Sequence, residues 1–219
     1  ENDGVGDSYG VAESDIIAED EAPTQVSASV GTTSDIGMSD ADGNKISYHI
    51  PAQGGFSAGV NFTNAGEEGT ADSRGYGAKY VMDAGGNTVT VGVAKQLTEN
   101  TVQDVDTTNM GIRVDSGNAS FIVSQGESKS NDEDVSTSGL AATYKLADGT
   151  QLGIYNVNSD DEEDADEEYN RTGVEVQYTI ASGLTAYINI DDYEYKTGTS
   201  ESTIADKGTN SKLTIKATF

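Results

Sequence analysis

Residues 74–96 read RGYGAKYVMDAGGNTVTVGVAKQ, two alternating rows of apolar and polar residues on either side of a glycine-rich turn. Apolar side chains occupy every second position, which is the period of a β-strand, and the turn is short enough for a hairpin. The apolar positions are Tyr76, Ala78 and Tyr80 before the turn, and Val89, Val91 and Val93 after it. The stretch therefore predicts an antiparallel hairpin with one apolar face.

The same alternation continues over most of the remaining chain. Its apolar rows lie in residues 46–50, 56–62, 76–80, 89–93, 110–114, 119–123, 140–146, 152–154, 174–180, 184–190 and 213–219. The eighth row is ambiguous, because Gly153, Tyr155 and Val157 offer the opposite register. We expect an all-β fold in which residues 44–219 form eleven antiparallel strands.

The connections between the rows alternate between short and long. The short, glycine-bearing turns are residues 51–55, 83–87, 115–118, 147–149 and 181–183, and the long polar links are residues 64–73, 97–108, 126–137, 158–170 and 192–210. This alternation is typical of membrane β-barrels, whose tight turns all lie at one end. Aromatic residues close to the short turns predict a girdle at that interface: Tyr48, Phe56, Tyr80, Tyr144 and Tyr178.

Composition excludes several classes of function. The 219 residues include 12 Lys plus Arg and 38 Asp plus Glu, which gives a net charge of −26. Such a surface repels nucleic acid phosphates. The chain has no cysteine for disulfides or thiolate metal sites. His49 is the only histidine and no nucleophile motif lies near it, so we expect no enzyme activity.

Basic residues occupy positions between apolar neighbours in the alternating rows. Because the apolar neighbours are expected to face lipid, we predict that these bases line a lumenal wall: Lys45, Lys79, Arg113, Lys145, Arg171, Lys212 and Lys216. A slip of one residue would place each charge in lipid, at a cost of about 2–4 kcal/mol near the membrane midplane. This penalty favours the predicted facing.

The strand pattern, the hairpin of residues 74–96 and the C-terminal SKLTIKATF resemble the trimeric general porins of Gram-negative outer membranes, most closely those of alphaproteobacteria. Phe219 closes an alternating strand, as the last residue of porins does. The resemblance implies a sixteen-stranded transmembrane β-barrel in the cell outer membrane, with strands 6–16 in this chain and the first five absent. An alternative is a twelve-stranded barrel with an extra strand at residues 25–31.

The resemblance also implies that residues 1–43 are the acidic loop that folds into the lumen. This segment has eleven acids and no Lys or Arg. Its candidates for the pore constriction are Asp3, Asp7, Glu13, Asp15, Glu19, Asp20 and Glu21. The implied function is passive diffusion of small hydrophilic solutes and ions, with mild cation selectivity and no required cofactor. The implied partners are two further copies in a homotrimer, outer-membrane lipid and lipopolysaccharide.

Two other functions remain open at the level of sequence. A solute-specific channel needs aromatic residues along the lumen, and the rows offer only Tyr187 and, in one register, Tyr155. A non-transporting surface barrel, such as an adhesin or phage receptor, would use the acidic loops. A second acidic cluster could hold Ca²⁺ through Asp160, Asp161, Glu162, Glu163 and Asp164, although its spacing differs from an EF-hand and a solvated loop is the simpler interpretation.

Overall fold

The computed structural model describes residues 9–12, 15, 17, 44–64, 72–99, 104–130, 134–161, 167–197 and 203–217. Its strands are β1 (Asn44–Gln53), β2 (Phe56–Asn64), β3 (Asp72–Asp83), β4 (Thr88–Glu99), β5 (Val105–Ser116), β6 (Ala119–Lys129), β7 (Asp134–Lys145), β8 (Thr150–Asp161), β9 (Glu167–Ala181), β10 (Leu184–Thr197) and β11 (Thr203–Ala217). They form one antiparallel sheet in chain order, with β1 and β11 at its edges. The all-β prediction and its eleven strands are confirmed, and the sheet is a partial barrel.

The hairpin of β3 and β4 has the register that its turn dictates. Pairing runs without a shift from Asp83 opposite Thr88 to Asp72 opposite Glu99. Gly85 and Gly86 have φ angles of +69° and +90°, a region that favours glycine. The Oδ1 atom of Asp83 accepts a hydrogen bond of 3.2 Å from the Gly86 N–H. The turn therefore fixes which residues of β3 and β4 share a face.

The outer face of the sheet is apolar. The predicted girdle residues all lie on this face and are exposed: Tyr48, Phe56, Tyr80, Tyr144 and Tyr178. In β8, Leu152 and Ile154 are exposed on the outer face, whereas Tyr155 and Val157 are buried on the inner face. The apolar side chains of the ambiguous eighth row, Leu152 and Ile154, thus lie on the outer face like those of the neighbouring strands. Exposed apolar side chains on this scale indicate a surface that contacts lipid.

The tilt of the strands can be read from the outward residues that pair across the sheet. One row of paired outward residues runs across the strands from β2 to β4. It is apolar up to Tyr76 on β3 and becomes polar at Lys95 on β4. A second row crosses β3 at Tyr80, four residues after Tyr76. It is apolar from Phe56 on β2 to Leu140 on β7 and becomes polar at Asn156 on β8. Four residues of about 3.4 Å over four strand spacings of about 4.8 Å correspond to a tilt of about 35°. This is the tilt of closed membrane barrels.

The strands extend further into the long links than the sequence predicted. β8 continues to Asp161 and β9 begins at Glu167, where a loop over residues 158–170 was expected. All five predicted links were therefore too long: residues 64–73, 97–108, 126–137, 158–170 and 192–210. The error has a physical cause, because outward residues beyond the apolar band are polar. Alternation in hydrophobicity ends there, while main-chain pairing continues.

Two sequence predictions concern residues outside the described part of the chain. The extra strand at residues 25–31 and the terminal Phe219 both lie there, so the twelve-stranded alternative stays a prediction. Within the described residues, no helix is long and apolar enough to cross a membrane.

Candidate functional site

The inner face of the sheet is lined by polar side chains. The buried polar and charged residues of the described strands are Asn61, Thr63, Ser73, Gln96, Thr107, Asn109, Ser124, Thr137, Thr143, Ser159, Asp161, Arg171, Glu175, Asn189 and Asp191. Many alternate with exposed apolar residues of the outer face, such as Val123 beside Ser124. A sheet that is polar inside and apolar outside suits a water-filled lumen surrounded by lipid.

A segment near the start of the chain lies on this inner face. Tyr9, Val11 and Ile17 are buried, with 4%, 2% and 6% of their surfaces exposed. The Val11 N–H donates a hydrogen bond of 2.9 Å to Oδ1 of Asn109, a buried residue of β5. The Asp15 N–H donates to the carbonyl of Ala12 at 3.1 Å, so a tight turn follows the contact with the wall.

Glycines on four consecutive strands make room for this segment. We call Gly59, Gly77, Gly92 and Gly111 the glycine floor. A Cβ atom on Gly92 would lie 2.3 Å from the main-chain oxygen of Tyr9, and a Cβ atom on Gly77 would lie 2.7 Å from the Cβ atom of Tyr9. A Cβ atom on Gly111 would lie 2.3 Å from the main-chain oxygen of Val11. Only a wall without side chains at these positions admits the segment so closely.

Tyr9 joins the segment to the first strand. Its hydroxyl oxygen lies 2.9 Å from Nδ1 of His49, and the two rings are stacked with centroids 5.7 Å apart. The Nζ atom of Lys79 lies 6.0 Å from the centre of the Tyr9 ring, at the outer limit of a cation–π contact. Burial raises the pKa of Tyr9, so its hydroxyl stays protonated to a higher pH than that of an exposed tyrosine.

A buried ion pair lies further along the inner face. The Arg171 Nη2 atom is 3.0 Å from Oδ1 of Asp191, and their side chains are 8% and 0% exposed. Tyr155 donates from its hydroxyl to the same Oδ1 atom at 3.1 Å. The neighbouring inward pair of β9 and β10 is Glu175 and Asn189, and Asn189 donates a hydrogen bond of 3.1 Å to Oε2 of Glu175. These hydrogen bonds offset the cost of burying charge between β8, β9 and β10.

The sequence as a whole has a clear relationship to known proteins. Residues 2–198 match the family of Gram-negative porins. The chain belongs to that family. It is accordingly an outer-membrane β-barrel protein, and its inner and outer faces are the lumenal and lipid-facing sides of a porin wall. No curated protein matches the sequence.

Solved structures share the fold of this porin. The anion-selective porin from Comamonas acidovorans aligns with a TM-score of 0.53 and 22% identity, over 78% of this chain and 54% of the other. The outer-membrane OmpT of Vibrio cholerae aligns with a TM-score of 0.63 and 16% identity, over 97% and 73% of the two chains. A further porin structure, refined at 1.8 Å resolution, aligns with a TM-score of 0.58 and 16% identity, over 94% of this chain and 71% of the other. The chain thus spans about half the length of the Comamonas porin.

The predicted wall bases of the porin lie in three environments. Arg171 is buried in the ion pair described above, and Arg113 donates to both carboxylate oxygens of Asp115, at 3.0 and 2.9 Å from Nε. Lys79 is half-buried beneath Tyr9. The other described bases are exposed: Lys145, Lys212 and Lys216. The side chain of Lys45 lies outside the described set, although its backbone pairs with Thr63.

Most predicted acidic site residues lie outside the described part of the porin. Asp15 is the described member of the constriction set, and its Oδ2 accepts from the Ala12 N–H at 3.3 Å. Asp3, Asp7, Glu13, Glu19, Asp20 and Glu21 are not described. For the calcium prediction, Asp160 and Asp161 belong to β8, while residues 162–164 are not described. The described residues contain no group of three potential metal ligands.

The sequence prediction missed several inward tyrosines. Tyr169 and Tyr195 pack against each other on the inner face, with Tyr193 beside them. Tyr195 donates to Oε1 of Glu167 at 2.6 Å, and Tyr193 donates to Oδ2 of Asp206 at 2.9 Å. These residues were assigned to loops because outward polar residues separate them. The every-second spacing of Tyr193 and Tyr195 in YEYK was the signal that could have revealed a strand.

Proposed function

We propose that this porin forms a water-filled channel through which small hydrophilic solutes and ions diffuse passively. The observation that carries the proposal is the polar lumenal wall with a chain segment seated on it through the glycine floor. Porins are channel proteins without catalytic activity, and hydroxyl and amide groups along a wall suit hydrated solutes of many kinds. The seated segment supports the interpretation of residues 1–43 as the element that narrows the pore.

The tyrosines favour passive diffusion over a solute-specific channel. A binding track for sugars needs exposed aromatic faces on which rings can stack. Tyr155, Tyr169 and Tyr195 are only 6%, 2% and 6% exposed, although they lie on the lumenal side. Because they are covered by neighbouring side chains, they stabilise the wall and offer solutes no stacking surface.

We further propose that the channel is mildly cation-selective. Arg113 and Arg171, two of the predicted wall bases, are neutralised by Asp115 and Asp191. The eleven acids of residues 1–43 have no basic residue within their own segment. Where the pore narrows to about the 8 Å screening length of physiological salt, these carboxylates would enrich cations.

We also propose a homotrimer, since the porins that this chain resembles associate through outward-facing walls. Light scattering in mild detergent is expected to give three times the mass of one protomer. A monodisperse monomer would contradict the trimer without affecting the channel proposal.

Planar-bilayer recording of the purified protein tests the channel itself. We expect a conductance that rises in proportion to salt concentration and does not level off as the concentration of permeating solute increases. Ser124→Trp, on the buried lumenal side, should lower this conductance, whereas the matched control Val123→Trp, on the exposed outer side, should leave it unchanged. Absence of conductance would favour a surface barrel, and block by a millimolar sugar would favour a solute-specific channel.

A further inference from the structure

The charges of the lumenal wall are sorted along the strands. We call the strand ends next to the short turns the turn end, and the opposite strand ends the loop end. The charged inward side chains described at the loop end are carboxylates: Asp161 on β8, Glu167 on β9 and Asp206 on β11. Asp161 lies directly opposite Glu167 in the strand pairing. Lys45 on β1 is the one base of the sequence whose backbone holds an inward position at this end.

Lysines predominate on the inner face at the turn end. Lys145 on β7 and Lys216 on β11 are exposed, and Lys79 is half-buried four residues before β3 ends. Within the described part of the chain, none of the three forms an ion pair. Two acids, Asp83 and Asp148, lie at the short turns, where each accepts a main-chain hydrogen bond. They reduce the positive charge of the turn end without reversing it.

The charges between the two ends largely cancel. The inward residues of this middle part carry opposite charges in pairs: Arg113 with Asp115, Arg171 with Asp191, and Glu175 with Lys212, which flank Asn189 in one inward row. The described wall therefore has an acidic loop end, a neutral middle and a weakly basic turn end.

This order of charges affects cations and anions differently at the two mouths of a pore. Fixed charge of one sign enriches ions of the opposite sign within about one screening length. Cations consequently enter most easily at the loop end, and anions enter most easily at the turn end. When the loop side is positive, the field drives both kinds of ion in through the mouth that favours them, and ions accumulate in the pore. With the opposite polarity, each ion has to enter through the mouth that repels it, and the pore is depleted.

We propose that the channel rectifies, so that it carries more current when the compartment at the loop end is positive. The proposal rests on the proposed channel function and concerns the direction of ion flow. Ion selectivity depends on the charge at the narrowest point, whereas rectification depends on the difference in charge between the two ends. Because the screening length is about 30 Å in 0.01 M salt and about 3 Å in 1 M salt, rectification should be present in dilute salt and absent in concentrated salt.

Single-channel recording in planar bilayers at both polarities tests the proposal. The orientation of each channel is read from Asn118→Cys, at an exposed short turn of a chain that has no cysteine of its own. A thiol-reactive polymer too large for the pore, added to one compartment, changes the current only when the turn end faces that compartment. We expect about twofold more current with the loop side positive in 0.01 M salt, and equal currents in 1 M salt.

Charge reversal at the turn end tests the cause of the rectification. Lys145→Glu/Lys216→Glu makes both ends acidic and should bring the ratio of the two currents close to one. The matched control is Lys129→Glu/Lys207→Glu, which reverses two exposed lysines of the outer face and should not lower the ratio. Conductance in 1 M salt shows that each variant still forms a channel.

Three results would overturn the proposal. Equal currents in 0.01 M salt, or more current with the loop side negative, would show that the sorted charges do not direct ion flow. A ratio that persists in 1 M salt would assign the asymmetry to the shape of the pore or to movement of the seated segment. A ratio that persists in Lys145→Glu/Lys216→Glu would exclude the turn-end lysines as its cause. Failure of the channel proposal is distinguishable, because the unaltered protein would then carry no current at either polarity.

Discussion

The hydroxyl oxygen of Tyr9 lies 2.9 Å from Nδ1 of His49, forty positions further along the chain. The rings also stack, which orients the tyrosine against the inner face of β1. His49 is the only histidine in the sequence, and it contacts the segment on the inner face through Tyr9. The contact ties the segment inside the pore to the edge strand of the described sheet. The position of that segment therefore depends on this contact, on the hydrogen bond from Val11 to Asn109 and on the glycine floor.

Alkaline pH should release the Tyr9 anchor. Burial raises the pKa of Tyr9 above its usual value of about 10. A raised pKa in the folded state means that its contribution is fully present below pH 10 and is lost as pH rises through the raised value. We expect channel conductance to change above about pH 10, and Tyr9→Phe to abolish that transition. Tyr187→Phe, a half-buried inward tyrosine, is the control. A transition that persists in Tyr9→Phe would contradict the assignment.

The glycine floor makes a steric prediction. Gly92→Ala places a Cβ atom 2.3 Å from the main-chain oxygen of Tyr9, so the seated segment has to move. Gly208→Ala is the control, because its Cβ atom would meet only the Tyr193 ring at 3.2 Å, which can shift slightly. We expect Gly92→Ala to change single-channel conductance and increase its noise, while Gly208→Ala retains the original current. Identical traces from both variants would show that the segment does not narrow the pore.

The fold was largely predictable because lipid and water impose opposite requirements on alternate residues. Rows such as Val89, Val91 and Val93 gave the strands and their facing directly. The same reasoning failed beyond the lipid level, where Asp160 pairs with Glu168 and both faces are polar. Main-chain pairing leaves no hydrophobic signature there. The strand ends were consequently missed.

The candidate site was less predictable than the fold. Arg171 was expected on the lumenal side, but its partner Asp191 lies twenty residues away, and the strand pairing of β9 and β10 brings them together. The glycine floor escaped prediction for a similar reason. Gly59, Gly77, Gly92 and Gly111 are unremarkable one at a time and gain their role from lying on four adjacent strands beneath one segment.

Loss of the buried carboxylate should destabilise the porin strongly. Asp191→Asn leaves the Arg171 guanidinium buried without its charged partner, which typically costs about 3–5 kcal/mol. Asp192→Asn is the matched control on the adjacent position. Asp192 is exposed on the outer face and accepts a hydrogen bond from Thr209, so its loss should cost less than about 1 kcal/mol. Urea unfolding of the protein in detergent measures both values, and equal stabilities of the two variants would disprove the role of the ion pair.

Ion selectivity tests whether the acids of residues 1–43 control the pore. Two charges 8 Å apart interact by about 0.5 kcal/mol in bulk water but by about 2 kcal/mol at an effective dielectric constant of 20, so the sign at the narrowest point dominates. We expect mild cation selectivity in bilayer reversal potentials across a salt gradient. Simultaneous neutralisation of Asp15, Glu19, Asp20 and Glu21 should shift the potential towards anions.

The control for this experiment neutralises the acids of residues 160–168, which in the sequence span the link between β8 and β9. Their effect should be smaller, because salt screens charges outside the narrow part of the pore. The basic residues provide the opposing hypothesis, since the exposed Lys145, Lys212 and Lys216 belong to the lumenal rows. Anion selectivity of the unaltered channel would mean that these lysines control the pore, because Arg113 and Arg171 are already neutralised by their carboxylate partners.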